Sequence, residues 1–109
     1  MLLRKIVEII QNNNSDHELT HEKICSEAGI SRVQLFRKVK ALTNMSVNEF
    51  IHNIKLKKAA EILRKSENVN INDLAFSLGF KKPGYFIELF KKKFGATPKA
   101  YNKKNTDQL

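Results

Sequence analysis

The chain contains four glycines, two prolines, one cysteine and no tryptophan. So few turn-forming residues cannot supply the many tight turns of an all-β sandwich. A single cysteine, Cys25, cannot close an internal disulfide, which fits a reducing compartment and a cytoplasmic address. Long apolar runs are also missing. The densest cluster, Ile6 to Ile10, is broken by Glu8, so no segment can span a bilayer. No basic stretch leads into an apolar segment with a small-residue cleavage site, and no signal peptide is expected. Neither a Gly-rich phosphate loop, a nucleophile elbow nor a paired-carboxylate pocket is legible, so the chain is not expected to be an enzyme. His17, His21 and Cys25 stand four residues apart, but His17 precedes the expected helix and no fourth ligand accompanies them. No metal and no cofactor are expected.

What is present is charge, and it is unevenly spread. The 109 residues, the length of one domain or two very small ones, carry twenty basic and eleven acidic side chains, a net charge of +9. Residues 1–31 hold three basic and five acidic groups, so residues 32–109 carry the whole excess, seventeen against six. Such a potential attracts polyanions and speeds their encounter; it also serves plain solubility.

The apolar pattern is helical throughout. Leu2, Leu3, Ile6, Ile9 and Ile10 recur at three- and four-residue spacing, as one face of an amphipathic helix requires. After a polar break at Asn12 to Asp16, Thr20 can cap a short helix over His21 to Ala28, with Gly29 just past its end. Ser31 can cap the next helix, whose stripe is Leu35, Val39 and Leu42. Ser46-Val47-Asn48-Glu49 has the capping-box form and opens a helix running to about Lys65. Asn70 can cap a short helix ending near Gly79. Pro83 suits the first turn of another, with Phe86, Leu89 and Phe90 turned inward. Thr97-Pro98 opens a last turn around Tyr101, and residues 102–109 read as a frayed tail.

The long middle helix changes its buried face. At about 100° per residue, Val47, Phe50, Ile51 and Ile54 fall within one arc, and Leu56, Ala59, Ala60 and Leu63 fall on the opposite one. One helix serving two small cores explains that jump. An internal repeat agrees: Ile24, Ala28 and Gly29 return as Leu74, Leu78 and Gly79, and Leu35, Val39, Ser46 and Phe50 return as Phe86, Phe90, Thr97 and Tyr101. Each copy reads as short helix, turn, second helix, the helix-turn-helix plan. The expected fold is all-α, about seven helices. Residues 1–54 hold the N-terminal helix, the first helix-turn-helix and half of the linker helix; residues 55–101 hold the rest of the linker and the second helix-turn-helix.

The stretch from Ile24 through Ala28-Gly29-Ile30-Ser31 to Arg37-Lys38 resembles the first helix-turn-helix of AraC/XylS-type transcription regulators. Ile71-Asn72-Asp73-Leu74-Ala75 through Gly79-Phe80, with Phe90 to Phe94 and Gly95-Ala96-Thr97-Pro98, resembles that family's second motif. The likeness runs from about Leu19 to Tyr101. Ala41-Leu42-Thr43 through Leu56 to Ala60 further resembles the C-terminal output domain of Bacteroides-type hybrid two-component regulators. The resemblance implies sequence-specific binding of double-stranded DNA in transcription regulation, most often activation, by the output part of a longer protein. RNA polymerase and self-association through other parts of that protein are the further partners it implies, with no membrane contact by this segment.

By the same resemblance, the base-reading positions fall on Val33, Phe36 and Arg37, with Arg32 and Gln34 beside them, and on Gly84, Tyr85, Ile87 and Glu88. Helix geometry agrees for the first set: Val33, Arg37 and Lys40 lie opposite Leu35 and Val39, and Phe36 lies toward the core edge, where packing competes with DNA contact. Arg37 can donate two hydrogen bonds to guanine O6 and N7, or it can meet a phosphate; Val33 and Phe36 offer only apolar contact, as to a thymine methyl. In the second set Gly84 has no side chain, and Glu88 either repels phosphates or accepts from cytosine N4. That helix is therefore expected to position more than it reads. Ser31, Lys40, Lys55, Lys81, Lys82, Lys91 and Lys92 are the expected contacts to the DNA backbone. The linker helix of nineteen residues spans about 28 Å, against about 34 Å between successive major-groove segments, so two reading helices would favour bent DNA. The rival reading is a module that docks on polymerase or another protein without reading DNA.

Overall fold

The computed structural model describes residues 2–12 and 21–102; the side chain of Leu2, the expected Thr20 cap and His17 lie outside that description. The described residues form seven helices and no strand: α1 (Leu2–Asn12), α2 (His21–Ala28), α3 (Arg32–Thr43), α4 (Val47–Lys65), α5 (Ile71–Ser77), α6 (Pro83–Phe94) and α7 (Pro98–Tyr101). Internal contacts divide the chain between Lys55 and Leu56.

In the first unit, Ile6, Ile9 and Ile10 of α1 meet Ile24 and Ala28 of α2, Leu35 and Val39 of α3, and Val47, Phe50, Ile51 and Ile54 of α4 in one apolar cluster. Gly29 takes the left-handed conformation, φ +72°, and its N–H donates to the Cys25 carbonyl at 2.9 Å, closing α2. Ser31 then opens α3 with a full capping box: its Oγ accepts from the Gln34 N–H at 3.1 Å, and Gln34 Oε1 accepts from the Ser31 N–H at 2.9 Å. Both ends of the turn are thus fixed locally. Ser46 and Glu49 form the second box, at 3.1 and 3.0 Å, and start α4 as their spacing implies.

Leu42 departs from the expected stripe: it is 57% exposed. The helix stops one residue later, where Asn44 turns left-handed (φ 61°), and Met45 packs against the cluster at that end, leaving Leu42 in solvent.

In the second unit, Leu56, Ala59, Ala60 and Leu63 of α4 join Leu74, Ala75, Leu78, Phe80, Phe86 and Phe90. Phe90 is the aromatic hub, with ring centroids 6.0 Å from Phe86, 4.6 Å from Phe94 and 5.3 Å from Tyr101. Full burial of such a ring is worth about 1.5–3 kcal/mol. Asn70 caps α5 through the Asp73 N–H at 3.0 Å, and Thr97 caps α7 through the Ala100 N–H at 3.2 Å.

Asn102 departs from the expected frayed tail. It is 2% exposed. Its side-chain amide donates to the carbonyls of Leu63 at 3.0 Å and Ser66 at 2.8 Å, and its oxygen accepts from the Val69 N–H at 3.1 Å. A polar side chain read as frayed is therefore the clasp that joins the end of α4, the loop after it and α7. Residues 103–109 lie outside the described part.

Candidate nucleic-acid interface

The cores decide which faces are left to meet a partner. Leu35 and Val39 are wholly buried, so α3 presents its opposite side, on which Arg32, Val33, Phe36, Arg37 and Lys40 are all exposed. Val33 is 62% and Phe36 43% exposed. This face forms one wall of an open groove of about 800 Å³, whose other wall is the first turn of α4, with Val47 and Asn48, and whose end is His21 of α2.

The side chains of this wall are braced unequally. The His21 ring meets Phe36 edge to face, with centroids 5.1 Å apart and planes at 80°. The Arg32 guanidinium lies 5.6 Å from the Phe36 centroid. Arg32 also stands 4.0 Å from the Glu22 carboxylate, an exposed pair worth little by itself. His21 Nε2 is hydrogen-bonded to Asn48 Oδ1 at 2.9 Å. Gln34 spends its carbonyl oxygen on the cap of α3, leaving its NH2 as the group it can offer to a base. Lys40 donates to the Asn44 carbonyl at 3.3 Å and so complements the negative end of its own helix. Arg37 is the long, charged side chain of this face that stands clear of the cap and the aromatic ring.

The second unit presents α6 in the corresponding way. Phe86 and Phe90 are wholly buried, while Gly84, Tyr85 and Glu88 are exposed, Tyr85 by 48%. Ile87 is half-buried and packs against the cluster, which makes it a core-edge residue. A side-chain carbon built at Gly84 meets nothing within 4 Å, so the surface there is open. Lys82 occupies the N-cap without a side-chain hydrogen bond, and Pro83 follows at the first helical position. Lys81, Lys82, Lys91 and Lys92 are exposed. Lys91 and Lys92 lie in the last turn of α6, where positive charge also stabilises the helix end.

Lys55 requires a correction. It is 6% exposed, so its ammonium is not presented to a phosphate as its sequence position suggests. The switch of buried face along α4 occurs at this residue.

Sequence reasoning weighed His21 only as a metal ligand and passed over Asn48. Both line the groove. Twenty-seven residues separate them, so no local pattern joins them, although both lie in first turns of helices. Among the described residues there is no group of three metal-binding side chains, and no helix is long and apolar enough to cross a membrane.

The chain and its fold have known relatives. A family model described as a helix-turn-helix domain matches residues 24–104. The chain is 39% identical over 108 residues to a protein called histidine kinase P4 from Formosa agariphila, covering 99% of this chain and 8% of that one. It is 28% identical over 102 residues to the HTH-type transcriptional regulator MtrA of Neisseria gonorrhoeae, covering 94% of this chain and 32% of the relative. Among solved structures, the C-terminal domain of AraT, a response regulator from Geobacillus stearothermophilus, superposes with a TM-score of 0.79 at 30% identity, covering 96% of this chain and 84% of that one. The chain spans a third or less of the length of both curated relatives. It belongs to the AraC-type helix-turn-helix family of DNA-binding transcription regulators.

Proposed function

We propose that the chain is the output module of a longer, signal-responsive regulator, binding specific duplex sites with α3 and α6 in successive major-groove segments and activating transcription from the cytoplasmic chromosome. One observation carries the DNA reading: the back of α3 is wholly buried at Leu35 and Val39 while Val33, Phe36 and Arg37 project from its front. Arg37 is the reader of a guanine. Arg32 braces more than it reads, Ser31 and Gln34 hold the helix start, and Lys40, Lys81, Lys82, Lys91 and Lys92 supply phosphate contacts. On α6, Tyr85 and Glu88 are the side chains with reach, Gly84 lets the backbone come close to DNA, and Ile87 supports them from the core edge.

The regulatory part of the proposal draws on the response-regulator domain and the histidine kinase to which this chain is similar. Contacts with RNA polymerase and self-association belong to the same reading, the latter through other parts of the longer protein.

Selection of duplexes from a random pool, followed by competition with unrelated DNA at physiological salt, tests it. A preference of about a thousandfold or more is expected of a specific regulator. Equal binding to every duplex would make the chain a packaging protein, and no binding would make it a protein-docking module.

A further inference from the structure

The front of α3 carries a feature that phosphate binding does not explain. Val33 and Phe36 are three residues apart on one helix, hence neighbours on its surface, and both are largely exposed at 62% and 43%. Single exposed apolar residues are ordinary, but Phe36 is also held in place. His21 meets its ring at 5.1 Å and Arg32 lies 5.6 Å from its centre. His21 is in turn fixed by Asn48, which stands in the first turn of α4 beside the Ser46–Glu49 capping box. A ring held by two such contacts and still offered to solvent has already lost much of the freedom that binding would cost it.

Of the groups that base pairs display in the major groove, the thymine C5-methyl is the apolar one. Arg37 and Lys40, on the same face, bring the positive charge that brings such an edge close. We propose that Val33 and Phe36 read thymine methyl groups, and that His21 is a positioning residue that aims the Phe36 ring. The proposal rests on the reading of α3 as a major-groove helix and adds the chemistry of its code.

Deoxyuridine scanning tests it. In the preferred duplex from the random pool, each thymidine is replaced singly by deoxyuridine, which removes the methyl and keeps pairing and the O4 acceptor. Loss of one buried methyl weakens binding by about fourfold, so one or two positions under α3 are expected to show that loss and the rest none. Where cytosine replaces thymine at a sensitive position, 5-methylcytosine is expected to recover part of the affinity. Val33→Ala abolishes the uracil sensitivity at one position and Phe36→Ala at the other, whereas Phe36→Leu keeps it in part. His21→Ala reduces the thymine-to-uracil ratio at the Phe36 position alone, leaving the Val33 position and the salt dependence unchanged, which a general folding defect would not do. A preferred site that lacks thymine under α3, or tolerates uracil everywhere, overturns the methyl code while leaving DNA reading intact. No preference for any duplex overturns the reading of α3 itself.

Discussion

Asn102→Ala tests whether the second unit depends on the clasp that closes it. The substitution removes two donated hydrogen bonds and one accepted one, to Leu63 O, Ser66 O and Val69 N. The three partners are not equally placed. The bond to the Leu63 carbonyl is buried, so its loss strands an acceptor and costs about 1–3 kcal/mol. The bonds to Ser66 and Val69 are part-buried, where water can take over, and each contributes about 0.5–1.5 kcal/mol. The sum, about 2–6 kcal/mol, is a large share of the roughly 5–15 kcal/mol that holds a small domain folded. Urea unfolding followed by circular dichroism should show a lowered midpoint with an unchanged slope. Asn102→Asp sharpens the test: a carboxylate keeps the acceptor but turns a negative charge onto two carbonyls, so it should be worse than alanine. A loss below about 0.5 kcal/mol for the alanine variant, or an aspartate variant more stable than the alanine one, would refute the reasoning.

Four further outcomes follow from the exposed faces and one half-buried ring. Arg37→Ala should cost about 1–3 kcal/mol of DNA affinity concentrated at one base pair, read as a loss of discrimination in a single-substitution site scan; an even loss over all sequences would make it a phosphate contact. Gly84→Arg has open space and adds a cation at the start of α6, so it should tighten binding and steepen the salt dependence by about one counterion, measured by fluorescence anisotropy against salt. Glu88→Ala should tighten binding evenly across sequences by removing a charge that repels phosphate; a changed preference at one position would instead make Glu88 a reader of cytosine. Burial, with the Lys55 ammonium adding to it, holds the His52 pKa below its ordinary 6.5. The folded state therefore favours neutral His52, whose contribution is full above that ordinary value and is lost as pH falls through the lowered one. Thermal midpoints should drop as pH falls below that ordinary value, and His52→Gln should flatten that drop.

Much of the fold is written in local signals. Ser31, Asn70, Thr97 and the Ser46–Glu49 box are caps whose partners lie three residues away, so each is legible from a few letters. The change of buried face along α4 is legible because helical periodicity turns sequence into direction. Asn102 was not, because its three partners lie 33 to 39 residues away and its one-letter context is that of a polar tail. Leu42 misled for a related reason: periodicity says which way a side chain points, and not whether a neighbouring element reaches far enough to cover it. At the interface, the outward positions of α3 follow from the wheel, but the brace on Phe36 does not, since it joins His21 and Asn48 from two other helices.

These facts separate stability from readout within the first unit. The residues that hold α3 are Leu35 and Val39 behind it and the Ser31–Gln34 box at its start, and none of Val33, Phe36 or Arg37 belongs to that set. Exchanges at Val33 and Arg37 alter what the surface offers while leaving the core unchanged, so affinity for a given duplex should move independently of the melting temperature. Phe36 is the exception. Its contacts with His21 and Arg32 tie the reading face to α2 and, through Asn48, to the start of α4. A change at Phe36 should therefore move both quantities together, and His21→Ala should copy the part of it that concerns aim. Specificity can drift freely at two of the three positions and only with a structural penalty at the third.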